Sequence, residues 1–215
     1  MIRGIIFDVD GTTLNTLNDL YVSFNQALKE FGLPARSKDE IRMGVGSGFK
    51  VLVDRCTPPD TSEELKQKLG VRYGEIYSEN YRKTTVPYDG IRELLQTLRD
   101  RNIALAISSN KSDRFVKGLA EKNFPDIEFV EVMGAREGFP HKPDPRGAKF
   151  IIEKMGLEKE EVMYVGDSDI DILTGKNAGV KTVGCLWGFR DRETLENAGA
   201  DIILSEPLEL LKYID

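Results

Sequence analysis

The chain has 215 residues, of which 40% are hydrophobic and 31% are charged, a composition typical of a globular protein with a core of its own. Thirty lysine and arginine residues against 36 aspartate and glutamate residues give a net charge of −6, which argues against nucleic acid and anionic membrane surfaces as partners. No apolar run approaches the ~18 residues of a membrane span, and Cys56 and Cys185 fit no zinc or redox spacing, so we expect a cytoplasmic protein with reduced thiols.

Short apolar runs that end in polar residues recur along the chain and predict buried strands. They cover residues 5–7, 103–107, 162–165, 180–184 and 202–204. Amphipathic patterns between them predict helices near 90–101, 112–122, 145–155, 169–178, 191–197 and 207–213. Continuous apolar strands are typical of a parallel sheet that is covered on both faces. The alternation of strands and helices therefore predicts an α/β fold with a doubly wound, Rossmann-like parallel sheet.

One stretch, from about Asn15 to Val86, breaks this alternation because it contains helical patterns and no convincing strand. Apolar residues recur at helical spacing from Leu17 to Phe31. Ser62 is a favourable residue to cap the start of another helix. We therefore predict a core domain, residues 1–14 and 87–215, that is interrupted by a helical insert, residues 15–86.

Two acidic residues follow the first predicted strand. Asp8 and Asp10 lie on the same side of an extended chain, and two carboxylates so close resist joint ionisation. The pair indicates either a divalent cation or a division of roles between the two acids. Gly11 then permits a tight turn and Thr12 adds a hydroxyl, although Asp-Gly is also an ordinary turn sequence.

Polar residues also end the later strands, and in an open parallel sheet the carboxyl ends of the strands border the ligand-binding crevice. Asp167 and Asp171 follow one strand at a helix start, where the helix dipole also favours acids. Neither the segment that begins at Asp8 nor the one that begins at Asp167 has the residues of an EF-hand calcium loop. Ser109 and Asn110 precede a helix, where N–H groups can hold an anion, but Ser-Asn is also a common turn. Lys142 belongs to a loop that two prolines stiffen.

Four of these segments resemble, in the same order, the four motifs of the haloacid dehalogenase-like hydrolase superfamily. They are Asp8-Val9-Asp10-Gly11-Thr12, Ser109-Asn110-Lys111, Lys142-Pro143-Asp144-Pro145 and Gly166-Asp167-Ser168-Asp169-Ile170-Asp171. The insert at residues 15–86 resembles the small helical cap domain of that superfamily. The chain also resembles the phosphoglycolate phosphatase-like branch, in its cap loop Gly44-Val45-Gly46-Ser47-Gly48 and its aromatic turn Trp187-Gly188-Phe189.

The resemblance implies a Mg²⁺-dependent phosphatase that hydrolyses a small phosphorylated metabolite through an aspartyl-phosphate. Asp8 would be the nucleophile, and Asp10 the general acid and base. The phosphate would be bound by Gly11, Thr12, Ser109, Asn110 and Lys142. The Mg²⁺ ligands would be Asp8, Asp10 through its backbone carbonyl, Asp167 and, directly or just behind the ion, Asp171. Residues Gly46, Ser47 and Gly48 would contact the leaving group when the cap closes over the core.

The motifs leave other functions open. A phosphosugar mutase of the same superfamily would use the same residues. A phosphate-sensing domain of the receiver type also combines an aspartate, a hydroxyl and a lysine, but it has no such insert and its motif order differs. Asp10 disfavours a dehalogenase, and a phosphonatase would need a Schiff-base lysine, for which Lys29, Lys38 and Lys50 are weak candidates. The sequence identifies neither the substrate nor the oligomeric state, which we expect to be a monomer or a homodimer.

Overall fold

A computed structural model describes residues 1–214, so Asp215, the last residue of the predicted core domain, lies outside the described residues. The strands in chain order are β1 (Gly4–Phe7), β2 (Leu14–Asn15), β3 (Val86–Pro87), β4 (Ala104–Ser112), β5 (Glu131–Ala135), β6 (Val162–Gly166), β7 (Lys181–Cys185) and β8 (Ile202–Leu204). The α-helices are α1 (Leu17–Glu30), α2 (Lys38–Gly44), α3 (Phe49–Cys56), α4 (Glu63–Asn80), α5 (Ile91–Asp100), α6 (Asp113–Asn123), α7 (Arg146–Met155), α8 (Asp169–Ala178) and α9 (Arg192–Asn197). Short 3₁₀ helices lie at Lys159–Glu161 and Pro207–Tyr213.

Six strands form one parallel sheet in the order β5-β4-β1-β6-β7-β8, which confirms the predicted doubly wound α/β fold. Strand β1 lies between β4 and β6, so the two halves of the sheet meet at β1. At such a position the connections leave the sheet in opposite directions and open a crevice beyond the carboxyl ends of the strands. The residues that follow β1, β4 and β6 therefore border one crevice.

Side chains of β1 alternate between two hydrophobic layers, which explains why this strand is apolar throughout. Ile5 and Phe7 pack with apolar residues of α5 and α6 on one face, and Ile6 packs with those of α7 on the other face. All three side chains are fully buried. Burial of side chains of this size contributes about 1.5–3 kcal/mol each, so both faces of the strand are strongly fixed.

Helices α1 to α4 lie between β2 and β3, which pair antiparallel and bring the two ends of this segment together. Their apolar residues form a third cluster around Phe24 and Tyr73, which Phe115 of α6 and Phe189 join from the other side. The domain boundaries remain a prediction. We propose that residues 15–86 form a cap domain, and we call its four helices the cap helices.

Local features differ from the prediction in three places. Strand β5 was not predicted, because its Glu-Val-Met-Gly-Ala sequence lacks an apolar run and it pairs only with β4 at the sheet edge. Asn15 and Val86, which the sequence placed in the helical insert, pair in the short β2–β3 ladder. The last predicted helix, near 207–213, is a 3₁₀ helix, a form common in short segments. Within residues 1–214, no helix is both long enough and apolar enough to cross a membrane.

Candidate active site

Three carboxylates converge at the carboxyl ends of β1 and β6. Because these strands are parallel neighbours in register, with Phe7 opposite Val165, the residues that follow them meet in space. Asp8, Asp167 and Asp171 are all buried, and each offers a carboxylate oxygen within 4.8 Å of the others. The fold thus gathers three of the four predicted acids into one cluster, which we call the acidic cluster.

Lys142 provides the opposite charge within this cluster. Its Nζ atom donates to Asp8 Oδ1 at 2.8 Å, to Asp171 Oδ1 at 2.6 Å and to the carbonyl of Ser108 at 3.1 Å, so all three N–H donors have acceptors. Although burial lowers the pKa of Lys142, the Asp171 and Asp8 carboxylates hold it well above its ordinary value. The ammonium ion is therefore charged at any physiological pH.

One ammonium ion does not balance three buried carboxylates. Burial raises the pKa of Asp8 to about 7, against the effect of Lys142 and with a further contribution from Asp171. Burial, followed by the charges of Asp171 and Asp8, also raises the pKa of Asp167 well above its ordinary value. Ionisation of all three carboxylates is thus unfavourable without a further positive charge, and a bound divalent cation would stabilise the ionised state.

The donor atoms of the acidic cluster suit a hard cation. Asp167 accepts one hydrogen bond at each oxygen, from Thr12 Oγ1 at 3.2 Å and from the Phe189 N–H at 2.7 Å, and each oxygen keeps a free lone pair. Asp171 accepts bonds from the Ser168 N–H and hydroxyl at one oxygen, as expected for a residue in the first turn of a helix, and bonds Lys142 through the other. Buried, oriented carboxylate oxygens are the ligands that Mg²⁺ and Ca²⁺ prefer.

Asp10 lies outside the acidic cluster although it is only two residues from Asp8. Its carboxylate accepts from Thr16 Oγ1 at 2.5 Å and from the Lys111 ammonium at 2.9 Å to each oxygen. Asp8 and Asp10 therefore have different partners, which suits different chemical roles. Lys111 was not among the predicted site residues. The sequence feature that could have identified it is its position directly after Ser109-Asn110, on a strand that continues to Ser112.

Ser109 and Asn110, which the sequence placed after a strand, lie within the last part of β4, where both are buried and line the cavity described below. The Asn110 side chain donates to the carbonyls of Gly46 and Lys142 and accepts from the Lys142 N–H, so it joins the cap loop to the loop of the lysine. The Ser109 hydroxyl accepts from the Lys111 N–H at 3.4 Å. The predicted roles of Ser109 and Asn110 in binding phosphate remain proposals.

Gly11 and Thr12 pack directly on the acidic cluster. Gly11 has φ of +87°, and a Cβ atom there would overlap the Asp167 carboxylate, so both the backbone conformation and the available space require glycine. The Thr12 hydroxyl is bound to Asp167. The structure thus shows Thr12 orienting an acid, whereas a direct contact of its side chain with phosphate remains a prediction.

The glycine-rich loop of the cap lies against the core. Gly48 has φ of +92°, and a Cβ atom there would lie 2.7 Å from His141 Nδ1. The Arg190 guanidinium donates to the carbonyls of Arg42, Met43 and Val45, at 2.7 to 3.2 Å, and so fixes the segment that leads into Gly46 and Ser47. The sequence analysis did not identify Arg190, because its hydrogen-bond partners are backbone atoms of a segment far away in the sequence.

A cavity of about 950 Å³ extends outward from the two acids of the first motif. Asp8, Asp10, Ser109, Asn110 and Lys111 line its inner end, and Gly46 and Gly48 line one side. Its outer part runs between α3, α4 and the first turn of α6. A molecule bound here would place one end at the acidic cluster and the other between the cap helices and the core.

Comparisons with known proteins agree with this geometry. The family model of the haloacid dehalogenase-like hydrolases matches residues 5–185. Phosphoglycolate phosphatases of Vibrio parahaemolyticus and Vibrio cholerae are 32% and 33% identical, and each alignment covers 99% of this chain and 96% or 97% of the relative. A crystal structure of a predicted phosphoglycolate phosphatase from Haemophilus somnus superimposes with a TM-score of 0.93 at 28% identity, covering all of this chain and 98% of that one.

Proposed function

We propose that this chain, which belongs to the haloacid dehalogenase-like hydrolases, is a Mg²⁺-dependent phosphatase that hydrolyses a small phosphate monoester through an aspartyl-phosphate. One observation carries the proposal: Asp8 belongs to the acidic cluster, whereas Asp10 is held apart by Thr16 and Lys111. Two adjacent carboxylates in different surroundings can act as a nucleophile and as an acid–base group.

In the first step a carboxylate oxygen of Asp8 attacks the phosphorus atom and forms an acyl-phosphate bond, while the bond from phosphorus to the leaving oxygen breaks. Asp10 donates its proton to that oxygen and the alcohol departs. Asp10 then takes a proton from a water molecule as the water oxygen attacks phosphorus. Inorganic phosphate leaves and the Asp8 carboxylate is restored.

Other residues of the site would balance the negative charges of the carboxylates and of the phosphate. Lys142, which already bonds Asp8 and Asp171, supplies a positive charge next to the attacked phosphate. Asp8, Asp167 and Asp171 would hold the Mg²⁺ ion, together with the backbone carbonyl of Asp10. Such an ion would neutralise negative charge on the carboxylates and on the phosphate oxygens.

The relatives suggest the first substrate to test. The Vibrio proteins are named phosphoglycolate phosphatases, and their alignments cover almost the whole of this chain. We therefore propose 2-phosphoglycolate as the reference substrate, and a panel of two- to six-carbon phosphate esters should be measured beside it.

The test is phosphate release from this panel with Mg²⁺ and with excess chelator. We expect turnover that requires the metal and that Ca²⁺ does not restore, because the reaction needs the tighter octahedral geometry of Mg²⁺. Asp167→Asn should abolish turnover, whereas Asp169→Asn, at the same helix start but outside the acidic cluster, should retain it. Full turnover in chelator would refute the proposal, and transfer of phosphate between sugars without release would indicate a mutase.

A further inference from the structure

We infer that the outer part of the cavity binds an apolar leaving group that is larger than glycolate, so that esters of alkyl or aryl alcohols are substrates of this chain. The inference rests on the proposed function for the position of the phosphate. It concerns the other end of the substrate, which the family motifs do not contact.

The size of the cavity supports a larger leaving group. Its volume of about 950 Å³ lies at the upper end of the ~300–1,000 Å³ that pockets for drug-sized ligands have. Asp8 and Asp10 line the same cavity, so its outer part is continuous with the site of chemistry. Glycolate has only two carbon atoms and would leave most of this space unfilled.

The walls of the outer part are apolar. They are formed mainly by aromatic and aliphatic side chains: Phe49, Leu52, Val53, Tyr73, Tyr77 and Phe115. The rings of Phe49 and Tyr73 stack at 5.0 Å, and Tyr77 meets Phe115 edge to face at the same distance. Phe49 is still 43% exposed although it forms part of this wall, so a bound apolar group could cover more of its surface.

Charged side chains also line the cavity, among them Lys50, Glu75 and Arg114. At the inner end Lys111 is engaged with Asp10. At the rim Lys66 is paired with Asp54 and Glu63. Lys111 and Lys66 are thus already engaged with carboxylates, and the aromatic and aliphatic side chains of the lining offer contacts that favour an alkyl or aryl body.

Two glycines within α4 make room in the same wall. Gly70 and Gly74 lie one turn apart and both line the cavity. Apart from the neighbouring turns of its own helix, a Cβ atom at Gly74 would meet nothing within 4 Å, so no packing contact requires glycine there. Glycine is unfavourable in a helix interior, and its presence at this position keeps open a space that a larger side chain would fill.

The first measurement is the binding of methyl-, propyl- and hexylphosphonate to the Mg²⁺-loaded protein by calorimetry. Phosphonates are not hydrolysed as esters are, so this measurement does not depend on turnover. We expect the affinity to rise about fourfold for each added methylene, as ~0.8 kcal/mol per buried CH₂ implies. The second measurement is kcat/KM for ethyl, butyl and hexyl phosphate, with 2-phosphoglycolate measured beside them. We expect kcat/KM to rise from the ethyl to the hexyl ester.

A variant that fills the space provides the structural control. Gly74→Leu should lower the affinity for hexylphosphonate at least about tenfold and lower that for methylphosphonate far less, because the leucine occupies the outer part only. Glu79→Leu adds the same side chain at an exposed position of the same helix, outside the cavity, and should leave the series unchanged. Leucine is a better helix former than glycine, so Gly74→Leu should fold.

The outcomes separate the two proposals. An affinity that does not increase with chain length, or an equal loss for all ligands in Gly74→Leu, would overturn the inference about the leaving group. Binding that increases with chain length without hydrolysis of any ester would uphold the apolar binding site alone, and it would refute the proposed phosphatase and with it the use of these esters as substrates.

Discussion

The Lys111 ammonium lies 2.9 Å from each carboxylate oxygen of Asp10, and it thereby joins the second motif to the first. Both groups are nearly fully buried, and Thr16 donates a further hydrogen bond to Asp10. Lys111 also lies 4.9 Å from the centre of the Tyr77 ring of the cap. We therefore regard Lys111 as a positioning residue for Asp10, at the place where the cap meets the core.

Lys111→Met removes the charge while keeping a side chain of similar length. Asp10 would then be oriented by Thr16 alone, and we expect kcat for an alkyl phosphate to fall at least about tenfold, since general acid–base catalysis contributes 10²–10⁴-fold. An aryl phosphate with a good leaving group needs little protonation and should lose much less. The measurement is kcat of the wild type and the variant for the alkyl phosphate, the aryl phosphate and 2-phosphoglycolate.

Lys117→Met serves as the matched control because Lys117 is exposed on α6 and pairs with Asp113, away from Asp10. Its kinetics should equal those of the wild type. Equal losses on both esters in Lys111→Met would contradict a role through Asp10. A loss confined to 2-phosphoglycolate would instead show that Lys111 binds the carboxylate of the substrate.

Gly188 offers a test of how the acidic cluster is held. A Cβ atom at this position would overlap the Asp167 side chain and the carbonyl of Gly11. Gly188→Ala should therefore displace Asp167 and weaken Mg²⁺ binding at least about tenfold, as loss of support around a metal ligand usually does. Calorimetric titration with Mg²⁺ measures this effect, and the melting temperature in chelator shows whether the fold is intact. Unchanged Mg²⁺ affinity in a folded variant would contradict the assignment of Asp167 as a ligand.

The raised pKa values predict an unusual pH dependence of stability for the metal-free protein. A carboxyl group whose pKa is higher in the folded chain binds more protons there, so the free energy of unfolding falls as the pH rises between the two values. For Asp8 that interval runs from 3.8 to about 7, and the raised pKa of Asp167 acts in the same direction. In chelator, the melting temperature should therefore be lower at about pH 8 than at about pH 5, by at least about 3 °C.

Mg²⁺ should remove this difference because it favours the ionised carboxylates. Asp8→Asn should reduce it even without metal, since the amide does not titrate. Thermal melts at several pH values, with Mg²⁺ and with chelator, measure both effects. A metal-free protein that becomes more stable toward pH 8 would contradict the charge balance described for the acidic cluster.

The sequence predicted the parts of the site that depend on strand ends. The apolar runs before Asp8 and Asp167 identify buried strands, and in a parallel sheet their carboxyl ends meet at one edge. The segment that carries Ser109 belongs to the same edge for the same reason, whereas Lys142 follows the unpredicted strand β5 and was identified through the resemblance of its loop to the third motif. The positions of Asp8, Ser109 and Asp167 follow from the hydrophobic pattern of the strands and from the parallel-sheet topology that this pattern implies.

Other features depend on contacts that no local pattern reveals. Strand β5 begins with Glu131, whose carboxylate is bound by Arg136 and Lys154, so a charged residue occupies a buried strand position. The guanidinium of Arg190 bonds backbone carbonyls, and any sequence offers such acceptors. The cavity is formed by cap helices together with α6, and its size depends on how they pack.

The most direct test of the proposed mechanism is to trap the covalent phosphoenzyme. Asp10→Asn keeps the nucleophile but lacks the group that activates water, so mixing with Mg²⁺ and an aryl phosphate should accumulate a phosphorylated protein. Intact-mass and peptide analysis should then show one added phosphoryl group, located on Asp8, in Asp10→Asn and none in Asp8→Asn. A phosphoryl group on any other residue, or its appearance in Asp8→Asn, would contradict the assignment of Asp8 as the nucleophile.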